Sequence, residues 1–476
     1  MNGSVFFFVC VGLLIGGYFV YGAIVDKVFQ PDESRPSPAK TMNDGVDFVE
    51  MPTWKVFLIQ FLNITGLGPV FGPILGALYG PAALLWIVFG CIFAGAVHDY
   101  FSGMLSIRYK GKSMPDVVGA NLGDFAHQFM IYFTLVVLVL IGVVFVNGPA
   151  GLLSKISNLS VTTWVCIIFA YFFLATITPI HTIIGRTRPI LVAVLPIMAI
   201  SLPLMLFAKG YNVLPNLDFT VNTHTTLPMW PMLFITIACG AISGFHSTQS
   251  PLMARCITNE KQGRKVFYSA MIAEGVIALI WATMGLSFYE SAEGLRRALG
   301  PGGNAVLVVN EVCHTLLGSG LGGTLAILGV VILPVTSGDT AFRSARLTIA
   351  DMLGVSQRTL GSRLLIAVPL FLIGGVLSQV DFGVVWRYFG WANQTLATVV
   401  LWASAAYLAK RGKFHWICSL PATFMTAATT TYLCFDRIGF GLPYMPANCI
   451  GLGTAIACLV LFLVKGRTPS SVPLEE

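Results

Sequence analysis

Ile59-Gln-Phe-Leu-Asn-Ile-Thr-Gly-Leu-Gly-Pro-Val-Phe-Gly-Pro73 is too apolar to leave a membrane and too rich in glycine and proline to remain one unbroken helix. A second stretch, Ala238-Cys-Gly-Ala-Ile-Ser-Gly-Phe-His-Ser-Thr-Gln-Ser-Pro251, has the same character. Inside a bilayer every peptide group needs a partner, so unwound backbone is tolerated only where it lines a cavity or is buried in protein. Two interrupted spans in matching halves of a chain point to the central site of a secondary transporter.

The surroundings of these stretches agree with that setting. With 56% hydrophobic and 10% charged residues among 476, and a mean hydropathy of +0.80, the chain lies outside the range of soluble domains. Apolar runs of about 18 residues or more recur from end to end, which fits an all-α polytopic membrane protein and not a β-barrel built from short alternating segments. The first run, Val5 to Ile24, lacks a basic leader and an Ala-x-Ala-like cleavage site and is expected to be a retained span. The ten cysteines are scattered, with no Cys-x-x-Cys pair, and read as small buried hydrophobes. The net charge of +7 follows the loops and does not imply a nucleic-acid partner.

Thirteen spans are expected, near 5–24, 57–79, 82–106, 128–153, 162–182, 188–208, 229–254, 266–290, 321–345, 363–380, 388–408, 414–433 and 446–464. With the N-terminus outside and the C-terminus inside, the inner loops hold 22 of the 28 basic residues. The other six are Lys155, Lys209, Arg296, Arg297, Arg387 and Arg437, so the bias is the one the positive-inside rule requires. Setting aside the first span and the last two leaves ten, which divide into two five-helix units entered from opposite sides: an inverted repeat over 56–208 and 229–408. Residues 1–55 then form an extra helix and a polar, irregular inner loop, and 409–476 two peripheral helices and a short tail. Asn147-Gly-Pro149 and Thr336-Ser-Gly338 are expected to interrupt the third span of each half.

Four groups of residues carry chemistry in this reading. His98-Asp99 is an ionisable pair near the inner end of its span, costly unless it faces the interior; it is either a structural pair or, because histidine titrates near neutrality, a proton carrier. The second break gathers Gly240, Ser243, Gly244, His246, Ser247 and Gln249, and half-helix N-termini there attract carboxylates. Together with Gly66, Gly68, Gly72 and Asn147 these are the expected substrate contacts. Thr336 and Ser337 present adjacent hydroxyls toward unwound carbonyls near Gly66, an oxygen-only set suited to a hard cation, with Thr340 close by. Asp339 and Arg343 share a helical face and can neutralise each other. Glu274, mid-span, must face inward or be protonated; it pairs with an arginine such as Arg343 or relays a proton. Asn393 and Gln394 are weaker candidates, equally explained by helix-helix hydrogen bonding. The sequence contains no phosphate-binding loop, zinc-protease motif or cysteine framework.

At these segments the chain resembles the carbon starvation protein A family of bacterial inner-membrane transporters. The strings that carry the resemblance are Asp44-Gly-Val-Asp-Phe48, Gly66-Leu-Gly-Pro-Val-Phe-Gly-Pro-Ile-Leu-Gly-Ala77, Gly95-Ala-Val-His-Asp-Tyr100 and Ser337-Gly-Asp-Thr-Ala-Phe-Arg343. The resemblance implies a LeuT-type five-plus-five core with broken first and sixth core helices and uptake of peptides or pyruvate by ion-coupled symport. It also implies that Thr336 and Ser337 are similar to the hydroxyl pair that holds sodium in sodium-driven relatives. Many members carry histidine just before the first break, where this chain has Ile59-Gln60, which argues against proton coupling at that position. The chain is similar to the short branch of the family, without a long C-terminal extension.

The expectation is therefore a symporter in the bacterial inner membrane that moves a small carboxylate (pyruvate) or short peptide by alternating access. Na+ or H+ is the coupling ion, and no cofactor is implied. The alternatives are a polar channel and an intramembrane enzyme using His98 and Asp99, for which the sequence supplies no convincing nucleophile or metal set.

Overall fold

A computed structural model describes residues 2–45, 47–178, 198–300 and 303–466; part of the expected span 188–208 and the tail from Thr468 lie outside these. Among the described residues the chain is helical and has no strand. Among the described residues seven helices are long and apolar enough to cross a membrane, and an eighth span is the bent pair Thr53–Ile64 and Gly68–Tyr79, whose halves meet at 49°. Helix also occupies the remaining expected intervals, as Val161–Ile177, Met198–Ala208, Met229–Thr236 with Phe245–Ala254, Phe382–Lys410 and Trp416–Phe435. The segment after Ser291 forms helices Ala292–Leu299 and Ala305–Leu317, the first capped by Ser291 Oγ, which accepts from Gly294 N–H.

Burial separates the centre from the lipid-facing belt. The apolar window of Glu260–Ser287 is 83% buried, whereas those of Leu360–Leu377 and Tyr444–Lys465 are 22% buried. The exposed face of the latter two carries Leu365, Leu372, Val376, Leu461 and Val464, which only hydrocarbon solvates without cost. Inside this belt the two broken helices pack with the helices that follow them, Ala82–Arg108 and Arg264–Ser287. Both of those contain π-helical turns, Trp86–Gly95 and Arg264–Tyr268, a form that concentrates at functional sites. A second group, Asp124–Ile156, Val161–Ile177, Leu321–Leu353 and Leu360–Leu377, packs together, and Leu321–Leu353 lies along Asp124–Ile156.

The breaks have local causes. Thr53–Ile64 stops at Thr65-Gly-Leu, and the chain restarts at Gly68 with Pro69 in the first turn, where a missing amide costs nothing. The second break runs from Ile237 to Gly244; Gly240 takes φ +91°, a left-handed conformation that favours glycine, and packs on Ala278. The interruptions expected at Asn147–Pro149 and Thr336–Gly338 are absent. Asp124–Ile156 continues through Pro149, and Leu321–Leu353 through Pro334. Proline forfeits one bond of its own ladder, and tight packing between these two long helices holds the rest.

Candidate functional site

Four buried titratable side chains from three helices form one chain of contacts. His98 and Asp99 come from Ala96–Arg108, His246 from the first turn after the second break, and Glu274 from Ser269–Ser287; all four are fully buried. His98 Nδ1 lies 2.8 Å from Asp99 Oδ1, and His246 Nδ1 lies 2.8 Å from Asp99 Oδ2. An ionised carboxylate only accepts, so each ring presents Nδ1–H to Asp99. His246 Nε2 then points at Glu274, 3.2 Å from Oε2. Glu274 thus meets a histidine, and the expected pairing with Arg343 is corrected. Position decides it: Glu274 is on the helix packed against the two breaks, while the Arg343 guanidinium donates to the carbonyls of Ala175 and Thr178.

A second polar centre lies at the first break. Ser337 Oγ donates within reach of the carbonyls of Leu62 (2.9 Å), Thr65 (3.2 Å) and Leu333 (3.0 Å). Thr336 Oγ1 lies 3.3 Å from Leu62 O and 2.9 Å from Leu333 O. Three carbonyls and two hydroxyls therefore converge where the first broken helix meets Leu321–Leu353, an all-oxygen donor set of the kind hard cations take. Thr340 Oγ1 binds the carbonyl of Ser337, and Asp339 accepts from Tyr171.

The glycines expected at the substrate divide between packing and cavity. Gly66 faces the Phe145 ring, Gly72 the carbonyl of Thr236, Gly240 Ala278 and Gly244 the backbone of Asn393 and Ala397. Gly68 lies against Cys239, and both line a vestibule of about 870 Å³. Its walls include Phe71, Tyr79, Phe382 and Trp386, with Arg387 and Arg437 among its lining residues. Toward the opposite ends of the helices the corresponding cavity is about 30 Å³. The deepest reach of the vestibule, at Gly68, Ala238 and Cys239, is the edge of both breaks. Ser247 and Gln249 bond within their own segment, to Gly244 O and Thr248 Oγ1, and Asn147 Nδ2 donates to Ser378 O.

Sequence reasoning underrated Asn393. Its Oδ1 accepts from Phe245 N–H at 2.6 Å, its carbonyl accepts from Gly244 N–H at 3.2 Å, and its Nδ2 donates to Ser243 Oγ at 3.0 Å. The half-helix N-terminus expected to attract a carboxylate is thus capped by the protein itself. Gln60 was treated only as a missing histidine, yet its Nε2 donates to Ser250 Oγ and ties the two broken helices together. A buried clasp was also missed. Arg108 grips Glu260 through Nε–Oε1 at 2.6 Å and Nη2–Oε2 at 2.9 Å, and Glu260 Oε2 accepts from Asp32 N–H. A single acid in the basic loop 255–265 was the available signal.

An all-helical membrane fold with two unwound helices around a buried polar centre, open to one face, defines a LeuT-type secondary transporter. The chain belongs to the carbon starvation protein CstA family, whose model matches residues 2–156, 149–294 and 291–432. An uncharacterized membrane protein of Haemophilus influenzae is 45% identical over 62% of this chain and 94% of its own length. The peptide transporter CstA of Campylobacter jejuni is 26% identical, covering 93% of this chain and 80% of that one. The pyruvate/proton symporter BtsT of Escherichia coli is 27% identical over 54% and 45%. Among solved structures, MhsT in complex with L-phenylalanine matches with a TM-score of 0.56 at 14% identity, over 88% of this chain and 99% of the other. That likeness establishes the fold. The homologues with an assigned role and the fold neighbours are transporters, and the protein is a multi-pass membrane transporter and not an enzyme.

Proposed function

We propose that the protein imports short peptides across the bacterial inner membrane by cation-coupled alternating access. In this reading the vestibule faces outward and the N-terminus lies outside, the orientation that places the basic loops within. The observation that carries it is the vestibule itself, which ends at the edges of both breaks, while the cavity on the opposite side is only about 30 Å³. Its volume of about 870 Å³ exceeds the need of a three-carbon acid, and its aromatic walls suit apolar side chains. Arg387 and Arg437 share the vestibule lining with Asp381 and Asp436, so it offers both charges to the two ends of a zwitterionic peptide. Inward opening then requires the broken helices and their partners to tilt against the second helix group, widening the small cavity lined by Thr248, Pro251 and Ser344.

Sodium is the coupling ion in this reading, held by the carbonyls of Leu62, Thr65 and Leu333 with the hydroxyls of Thr336 and Ser337. Binding turns each hydroxyl proton away from its carbonyl, so the ion substitutes for bonds that now join the first broken helix to Leu321–Leu353. A second reading, a proton symporter of pyruvate, is favoured by the buried chain from His98 to Glu274 and by the likeness to BtsT. Uptake of labelled dipeptide and pyruvate into proteoliposomes, with sodium and proton gradients imposed separately, tests both. Saturable dipeptide uptake driven by sodium is expected. Pyruvate uptake driven by a proton gradient alone selects the second reading, and flux that neither saturates nor responds to a gradient defeats both.

A further inference from the structure

We propose that Cys239, His246 and Glu274 form a binding site for a borderline divalent cation of the zinc type at the floor of the vestibule. Their donor atoms, one thiol sulfur, one imidazole nitrogen and one carboxylate oxygen, lie within 4.8 Å of one another, and all three residues are buried. The set is the mixed S, N, O kind that zinc accepts with one position left for water or another ligand. It differs in kind from the oxygen-only cluster at Thr336 and Ser337.

Three further observations aim these groups at a common point. His246 Nδ1 is committed to Asp99, so the ring turns Nε2 toward Glu274, as a carboxylate behind a histidine does in metal centres. His246 Nε2 and Glu274 Oε2 face each other at 3.2 Å without hydrogen-bond geometry, both buried, and buried Glu274 Oε1 likewise lacks a well-aligned donor among the described residues. Leaving such atoms unsatisfied is costly, and a shared cation answers all of them at once. Cys239 also lines the vestibule and so gives the ion a route from the aqueous cavity.

The distances are within reach of a bound state. Donors at about 2.0–2.3 Å from one ion stand roughly 3.3–3.8 Å apart in a tetrahedron. His246 Nε2 and Glu274 Oε2, at 3.2 Å, already have that spacing. Cys239 needs to close by about 1 Å, within the swing of a single side-chain rotation. Because the ligands come from within the unwound segment, from the helix that follows it and from Ser269–Ser287, a bound ion ties the second break to its neighbouring helix.

The experiment titrates purified full-length protein, in detergent and without substrate or gradient, with Co2+ and then displaces it with Zn2+. One Co2+ per chain with a thiolate-to-cobalt charge-transfer band is expected, together with a zinc-dependent rise in melting temperature. Cys239→Ser abolishes the band and weakens binding by about tenfold or more, and Glu274→Gln weakens it similarly. Cys239→His retains a nitrogen donor, keeping cobalt binding while losing the band, and so separates a lost ligand from a misfolded protein. Cobalt binding without a thiolate band, or equal affinity in wild type, Cys239→Ser and Cys239→His, overturns the site. Since no transport is measured, this outcome is independent of whether the protein carries peptide or pyruvate.

Discussion

The first break is three residues long, Thr65 to Leu67, and the second eight, Ile237 to Gly244. The short one is lined by apolar groups, with Phe145 over Gly66 and the Leu67 side chain against Gly148. Its free carbonyls are met by two hydroxyls. The long one is bordered by titratable and amide side chains, and its polar backbone is held from outside by Asn393 and beside it by the chain from His98 to Glu274. One break thus offers oxygen acceptors, to which a hard cation binds, and the other offers nitrogen, sulfur and carboxylate groups that exchange protons or softer metals. The difference follows from sequence: one has Gly-Leu-Gly-Pro, the other Ser-Gly-Phe-His-Ser.

The largest expected effect comes from removing the shared acceptor of the second break. Asp99→Asn leaves two buried imidazoles without their carboxylate, and breaking a buried charged network in this way costs about 3–5 kcal/mol. Unfolding of the purified variant in detergent, compared with wild type, measures it. A loss no greater than that of Ser337→Ala erases the contrast, because the second break would then not be held by charge.

How far these features were legible depends on whether they are local. Both breaks were visible because glycine, proline and polar residues inside an apolar run have one structural outcome in lipid. The meeting of Ser337 with Thr65 was also foreseeable, since hydroxyls at that depth need carbonyls. What sequence could not place were partners apart in the chain: His246 and Asp99 are 147 residues apart, Asn393 and Phe245 148, and Glu274 lies on a different helix from His246. Pro149 misled for a related reason. A proline or a Thr-Ser-Gly string weakens a helix locally, but packing between Asp124–Ile156 and Leu321–Leu353 kept both continuous.

The next effect probes where the two breaks touch. A methyl at Gly68 overlaps Cβ and Sγ of Cys239, so Gly68→Ala is expected to cost about 1–3 kcal/mol through overpacking. Gly68→Ala with Cys239→Gly should recover part of it, and the double-mutant cycle reads the contact directly. Additive losses would mean that the breaks do not bear on each other there.

Smaller still is Ser337→Ala. Thr336 Oγ1 still donates to the carbonyls of Leu62 and Leu333 while that of Thr65 loses its hydroxyl, so stability in the absence of sodium should fall by about 0.5–1.5 kcal/mol. The sharper readout is the melting temperature with and without sodium: a sodium-dependent rise in wild type should shrink or vanish in the variant. An unchanged sodium response places the cation elsewhere and removes the chemical contrast between the breaks.

The smallest effect concerns the vestibule wall above the breaks. His224 stacks on Tyr79 at 4.8 Å, and its Nδ1 accepts from the amides of Leu227 (3.1 Å) and Thr226 (3.4 Å). Burial, with the Arg296 charge as a lesser cause, holds its imidazole below the ordinary histidine range. A base whose folded pKa is depressed binds fewer protons folded than unfolded, so its contribution is complete above about pH 6.5 and is lost as pH falls toward the folded value. Protonation occupies the lone pair that caps the turn and loosens 222–228 against Tyr79. Amide exchange in this segment, corrected for intrinsic rates, should therefore quicken on acidification in wild type and be pH-independent in His224→Gln. The exchange of 245–254, which contains His246 and is capped by Asn393, should follow a pH course of its own, different from that of 222–228. Coupled exchange of the two segments would show that the vestibule wall and the break open as one unit.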